Sequence, residues 1–248
     1  MTVIRTLLII CGFFLLPAAQ QDFEIKQTGG CQGDRDLPVQ TTVEFFINPV
    51  EFDRTIEYKN FVTLTDKKID RWRFDNNIAA YWIPEGHYEG GHVIVSGLSY
   101  EYQTKRYTKP FDMGAYTACS FFSDVDLKVT LHTTVMIAKS LSEDRCLYPV
   151  YMKHMRKHRD IEEGVFKKEM QVFLEKDIYD VVAYGEGDEF VLNKEWNIKP
   201  HQQRQSVNLE RGINAYIRSV AGEMEYQSSR FDLGEELIAL DQAVKACK

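Results

Sequence analysis

Hydrophobic and polar residues alternate most clearly in DVDLKVTLHTTVMI, where Val125, Leu127, Val129 and Leu131 take every second place. A period of two puts those side chains on one face, so the segment reads as a strand with one buried side. Shorter β-branched and aromatic runs precede it: TTVEFFI, closed by Pro49, then KNFVTLT, NIAAYWI and GHVIVSGLSYEY, each bounded by Asp, Gly or Pro. His87 and His92 flank a glycine-rich stretch that reads as a hairpin connection, and YEYQTKRYTKPF as a solvated edge strand guarded by lysines. From residue 149 the period lengthens. Pro149 suits a first helical turn, where its missing N–H has no partner to lose. Ile161, Val165 and Val172 form one stripe, and His154 and His158 extend it backwards. That spacing predicts a helix over 149–177 with both imidazoles facing inward or toward a cleft edge.

Residues 179–196 (YDVVAYGEGDEFVL and its flank) read as two short strands around Gly-Glu-Gly. After Pro200 a helix is expected through Leu209, Ile213, Ile217, Val220 and Met224. A last helix is expected over 232–247, opened by Asp232 and Glu235 and striped by Leu237, Leu240 and Val244. The chain thus predicts one α+β domain over residues 41–248. It has N-terminal antiparallel strands, then a central helix carrying the histidine pair, a short hairpin and two C-terminal helices.

The start of the chain has a different character. Arg5, an apolar core from Thr6 to Leu16 and Pro17-Ala18-Ala19 have the layout of a secretory signal peptide, expected over residues 1–19. The apolar run is shorter than the ~20 residues of a bilayer span, so no transmembrane segment is expected after cleavage. Residues 20–40 read as an extended polar leader. The location implied is periplasmic or secreted. Of the 5 cysteines, Cys31, Cys119, Cys146 and Cys247 lie beyond the signal peptide, and no two form a C-x-x-C pair. In an exported chain they read as disulfides with three connectivities open. The expected one joins Cys119 to Cys146, which flank one strand and the approach to the central helix, and Cys31 to Cys247 across the two ends.

Composition narrows the function classes. With 44% hydrophobic and 12% aromatic residues the chain can bury a full core. A net charge of −7 and the lack of a basic block argue against nucleic acid as a partner. There is no G-x-S-x-G elbow and no phosphate-binding glycine loop. The candidate chemistry lies in MKHMRKH, residues 152–158. Histidines at i and i+4 place both rings on one helix face, close enough to share a tetrahedral metal. Glu162, one turn on, could orient His158 by accepting its outer N–H. A third ligand would come from elsewhere, with His132, His201, Glu195 and Asp188 as candidates. Such pairs also arise in ordinary helices, where the rings are half-buried and hydrogen-bonded. Met152 and Met155 beside the histidines would suit copper, but methionine is more often core filler.

The run CLYPVYMKHMRKHRDIEEG, preceded by DVDLKVTLHTTVMIAKSLSEDR, resembles a bacterial family of unknown function described as predicted secreted zinc-dependent peptidases, with a zincin-like fold. The resemblance covers residues 119–164. In that family a strand leads to a cysteine and then to a helix bearing H-E-x-x-H, with an acidic residue four positions on. Cys146, His154, His158 and Glu162 stand at those places. The resemblance implies zinc as cofactor, held by His154 and His158, with Glu162 behind them. Met155 occupies the place of the glutamate that takes a proton from zinc-bound water, and a thioether cannot accept that proton. The expected function is therefore an exported zincin-like protein without the catalytic glutamate, a binding or assembly protein with a protein or cell-envelope partner. The alternatives are a metal-dependent hydrolase using a substitute base, and a copper- or zinc-handling protein.

Overall fold

A computed structural model of the chain describes residues 39–87, 91–111, 117–186, 193–194, 198–231 and 235–247. The signal peptide, the leader up to residue 38, Cys31, Asp188 and Glu195 lie outside the described residues, and the last leader position, Gln40, already belongs to a strand.

The architecture is α+β, built on a mixed sheet. Its spine is a long hairpin of β4 (His92–Phe111) and β5 (Thr117–Ala138), paired antiparallel along nearly their whole length. β3 (Ala80–His87) pairs antiparallel with the start of β4, giving the order β1-β5-β4-β3. β1 (Gln40–Ile47) and β2 (Glu51–Ile56) lie end to end along the other edge of β5, both parallel to it. The N-terminal strands are thus not all antiparallel. Asn48-Pro49-Val50 breaks this edge, and the Asn48 N–H still reaches Leu131 O at 3.0 Å. The two residues of β6 (Asn193–Lys194) close on the start of β5.

The helices follow. α1 (Phe61–Asp75) covers one end of one sheet face. α2 (Lys139–Ser142) leads into α3 (Leu147–Val172), which passes through one wide turn (Phe173–Asp177) into α4 (Ile178–Glu186). α5 (Ile198–Phe231) is a single 34-residue helix, and α6 (Glu235–Ala246) is short.

Two expectations are corrected here. KNFVTLT is not a strand. Phe61, Thr65, Ile69 and Trp72 are buried at helical spacing over fifteen residues, and Thr65 satisfies its hydroxyl on Phe61 O at 2.6 Å. The longer period outweighs the short local alternation. Residues 179–186 are likewise helical, because Ile178, Val181 and Val182 form a helical stripe in the core with Leu209 and Ile213 of α5. The β-branched valines suggested a strand, and packing overrides that propensity.

The interior divides into two hydrophobic clusters. One lies where α3, α4 and α5 meet the sheet, around Leu98, Val129, Phe166, Met170, Phe173 and Ile217. The other lies toward α1 and the beginning of α3, around Phe61, Trp72, Ile94, Ile137, Met152 and Met155. Between them runs a row of polar side chains. Ser96 sits between Val95 and Leu98 on β4, Thr133 between Leu131 and Val135 on β5, and Arg159 and Glu162 between Met155 and Phe166 on α3. The fold positions the candidate site through this row.

Candidate functional site

Register explains the polar row. Trp82 of β3 pairs with Ser96 of β4, and Ser96 pairs with Thr133 of β5. Residues directly opposite across strands point to the same face, so three polar groups meet α3 side by side. Glu162, fully buried, accepts from Trp82 Nε1 at 2.7 Å and from Ser96 Oγ at 2.6 Å. Ser96 and Thr133 hydroxyls stand 3.2 Å apart. Arg159 donates to Thr133 Oγ1, to Glu163 Oε1 at 2.9 Å and to Asn48 O at 2.9 Å, which fastens the break between β1 and β2 to α3. Burial pushes the Glu162 carboxyl up to about 7, against the hydrogen bonds from Ser96 and Trp82 and the charges of Arg159 and His158.

The buried face of α3 therefore differs from the expected stripe. Ile161 and Val165 are half-buried and Val172 is exposed, while Met155, Arg159, Glu162, Phe166 and Met170 point into the protein. Arg159 and Glu162 are polar members of a core face because the sheet offers them partners.

His154 and His158 are both buried, as expected. Their Nε2 atoms stand 3.2 Å apart, and His158 Nδ1 is 2.8 Å from Ser228 Oγ near the end of α5. Phe231 closes over the pair, stacked on His154 at 5.4 Å between centroids and edge-on to His158 at 5.0 Å. Glu162 does not take the outer N–H of His158; its hydrogen bonds come from Trp82 and Ser96. The outer nitrogen of His158 is held by a serine on α5, a contact no local spacing on α3 could disclose.

The separation of the two Nε2 atoms bears on metal binding. Two nitrogens on one tetrahedral zinc at ~2.05 Å stand about 3.3 Å apart. The pair meets that span and its outer nitrogen is anchored, so it fits half of a zinc coordination set. Among the described residues, no group of three or more His, Cys, Asp or Glu side chains is placed to complete it. His132, named as a third-ligand candidate, is engaged by Ser99 Oγ at 2.8 Å and Asn48 Nδ2 at 3.2 Å, and burial lowers its pKa. Met152 and Met155 lie in the second hydrophobic cluster, so Met155 is a core residue on a face other than that of the histidine pair.

His154 also lines a groove of about 340 Å³ between α3 and α6. The walls are Pro149, Val150, Lys153 and Lys157 of α3 and Ala239, Leu240 and Ala243 of α6. The Lys157 ammonium lies 5.5 Å from the Phe231 ring centre. α6 is held in place by a disulfide between Cys146 and Cys247, with Cα atoms 5.6 Å apart. This corrects the expected connectivity. Cys146 does not pair with Cys119, nor Cys247 with Cys31, because α6 folds back along α3 and brings the C-terminal cysteine to the residue before that helix. No side chain from 237 to 247 is fully buried, so the covalent link does what packing does elsewhere.

A second cleft, about 570 Å³, lies between α1 and β2 and is lined by Glu51, Asp53, Lys68, Arg71, Trp72 and Asp75 among others. Its cations already have partners: Lys68 pairs with Asp53, and Arg71 with Asp75 at 3.3 Å. It carries none of the residues singled out in the sequence.

No protein-family model, curated protein or solved structure matches the chain.

Proposed function

We propose that the protein is an exported, non-catalytic binding protein whose working site is the groove between α3 and α6, floored by His154. The carrying observation is that this groove is built from the histidine-bearing helix while the usual proton acceptor is absent from it. Met155 stands where a zinc peptidase has its glutamate and packs in the core. Glu162 is committed to Trp82 and Ser96. The groove residues supply cations and apolar surface, which recognise a ligand without transforming it. Export is supported by the signal-like first nineteen residues and by the disulfide, which persists in oxidising compartments.

The test compares wild type with Ala243→Trp, which fills the groove. Both are screened by thermal shift against small molecules, peptides and cell-envelope fragments, and both are incubated with a broad peptide library at saturating zinc. The expected result is one ligand class that stabilises wild type and not the variant, with no cleavage. Chelator-sensitive cleavage that disappears in His154→Ala would replace this reading with a metallohydrolase.

A second reading, zinc held by His154 and His158, is favoured by the 3.2 Å separation of their Nε2 atoms. Zinc there would pin α3 and leave remaining positions to water or ligand. About one zinc per purified chain, lost in the His154→Ala/His158→Ala double variant, is the expected measurement; copper in its place would favour metal handling.

A further inference from the structure

We propose that the Cys146–Cys247 bridge is a reversible clasp, opened in the folded protein by a dithiol reductant, and that its opening frees α6 from α3 and dismantles the groove. This rests on the groove being the working site and names what regulates it.

The two halves of the bridge are held very differently. Cys146 stands at the start of α3, where Asp144 Oδ1 accepts its backbone N–H and that of Leu147, each at 2.8 Å. The Tyr148 N–H reaches Asp144 O at 3.2 Å. The first turn of α3 therefore has its N–H groups satisfied without help from the sulfur, and it stays in place when the S–S bond opens. Cys247 directly follows α6, where no side chain from 237 to 247 is fully buried and Leu237 and Ile238 are 45% and 58% exposed.

That asymmetry sets how firmly the protein keeps its bridge. A fold stabilises a disulfide by as much as the disulfide stabilises the fold, because the two effects are linked reciprocally. Sparse burial of α6 holds the two thiols together only loosely once the bond is open. Exposed bridges are the labile ones, and Cys146 is exposed, so a thiolate reaches it without unfolding the chain.

The reductant's thiolate attacks Cys146 Sγ, the bond between the two Sγ atoms breaks, and Cys247 leaves as a thiolate that takes a proton from solvent. The reductant's second thiol gives its proton to solvent, attacks the mixed disulfide and displaces Cys146, which is protonated in turn. Two electrons and, by way of solvent, two protons pass from the dithiol to the protein, and the dithiol ends as a disulfide. A disulfide donor reverses the step. With the bond open, Pro149, Val150, Lys153 and His154 lose the wall that faces them. The bonds of Glu162 to Trp82 and Ser96 take nothing from α6 and persist.

The test is redox titration of the full-length oxidised protein against mixtures of reduced and oxidised dithiothreitol. Free thiols are trapped by alkylation, and peptide mapping follows Cys146 and Cys247. The mixture that reduces half of this bridge in native buffer should lie within about tenfold of the one that does so in concentrated urea. A bridge held more tightly than that by the native protein overturns the proposal. In the reduced, alkylated protein, α6 amides should exchange at least tenfold faster while those of β4 and β5 are unchanged. Protection of α6 that survives reduction, or that is lost together with that of β4 and β5, also overturns it. Cys146→Ser/Cys247→Ser should show the reduced pattern with or without dithiothreitol, and replaces the alkylated protein if alkylation disturbs the fold. These readouts need no groove ligand. If a ligand separates wild type from Ala243→Trp, reduction should weaken it at least tenfold, and equal binding to both forms overturns the regulatory role. If no ligand separates them, the groove reading falls, and the clasp is decided by titration and exchange alone.

Discussion

The two sides of α3 are built on opposite principles. Toward the sheet, Arg159 and Glu162 are buried, and their bonds are made by Trp82, Ser96, Thr133, Asn48 and Glu163. Toward α6, Lys153 is exposed, no side chain from 237 to 247 on the opposing side is fully buried, and a disulfide holds the wall in place. A fully satisfied buried polar network rigidifies and specifies, because each group is costly to leave unpaired. The difference separates the side of α3 that specifies the fold from the side proposed here to bind, and His154 and His158 sit at the boundary between the two.

Glu162→Ala should produce the largest effect. It strands the Trp82 N–H in the interior, removes the acceptor of Ser96 and leaves a cavity. Buried groups left unsatisfied cost ~1–3 kcal/mol each, so a loss on the order of 3 kcal/mol or more is expected in chemical denaturation. Glu162→Gln can still accept from Trp82 while its amide donates to Ser96, whose hydroxyl can turn to Thr133, and it should cost about 1 kcal/mol. Equal losses for the two would mean that volume, not hydrogen bonding, is what Glu162 contributes.

The same carboxyl predicts a pH dependence of slightly smaller size. Folding raises its pKa from 4.5 to about 7, so the native state holds this proton more tightly than the unfolded chain. The associated stability is complete below about pH 4.5 and is lost as the pH rises through about 7. Between about pH 5 and pH 8 wild type should lose on the order of 2 kcal/mol from this group, and Glu162→Gln should remove that slope. A wild-type slope that survives in the variant would assign it to other groups.

How much of this was legible in the sequence follows the same division. The alternation at Val125, Leu127, Val129 and Leu131 marks a strand because Asp126 and Lys128 between them reach solvent. The histidine helix was legible from Pro149 and the i, i+4 pair. Its inner face was not, because Arg159 and Glu162 are residue types that sequence patterns assign to surfaces. Only the Trp82–Ser96–Thr133 register, on strands far from α3 in the chain, makes that face tolerable for charge. α1 was hidden because one of its buried positions is Thr65, and the disulfide because no local pattern shows that α6 runs back along α3. The groove has no local signature, since its walls come from residues 149–157 and 239–243.

The tether offers a milder test of the comparison. Cys146 and Cys247 are 101 residues apart, and a loop-entropy view assigns a bridge of that span about 4.7 kcal/mol. That value applies when the native state holds both ends in place without the bridge. Because α6 is poorly buried, Cys146→Ser should let it detach, and the loss in global stability should stay near 1 kcal/mol or below. Hydrogen exchange should show the change directly: amides of α6 lose protection while those of β4 and β5 keep theirs. A global loss near the full entropic value would mean that α6 stays docked without the bridge and that the groove is as rigid as the sheet side.

The smallest effect should come from the groove wall itself. Lys153 is exposed and Leu240 only half-buried, so Lys153→Ala and Leu240→Ala should each change stability by no more than about 0.5 kcal/mol. Each should also add to Glu162→Gln within about 0.5 kcal/mol, since sites that share no partners are energetically independent. The combination with His154→Ala is different, because His154 lines the groove and its Nε2 meets that of His158, whose charge reaches Glu162. Glu162→Gln with His154→Ala should therefore depart from additivity where Glu162→Gln with Leu240→Ala does not. Additivity in both cycles would show that the histidine pair belongs wholly to the groove and transmits nothing to the network beneath it.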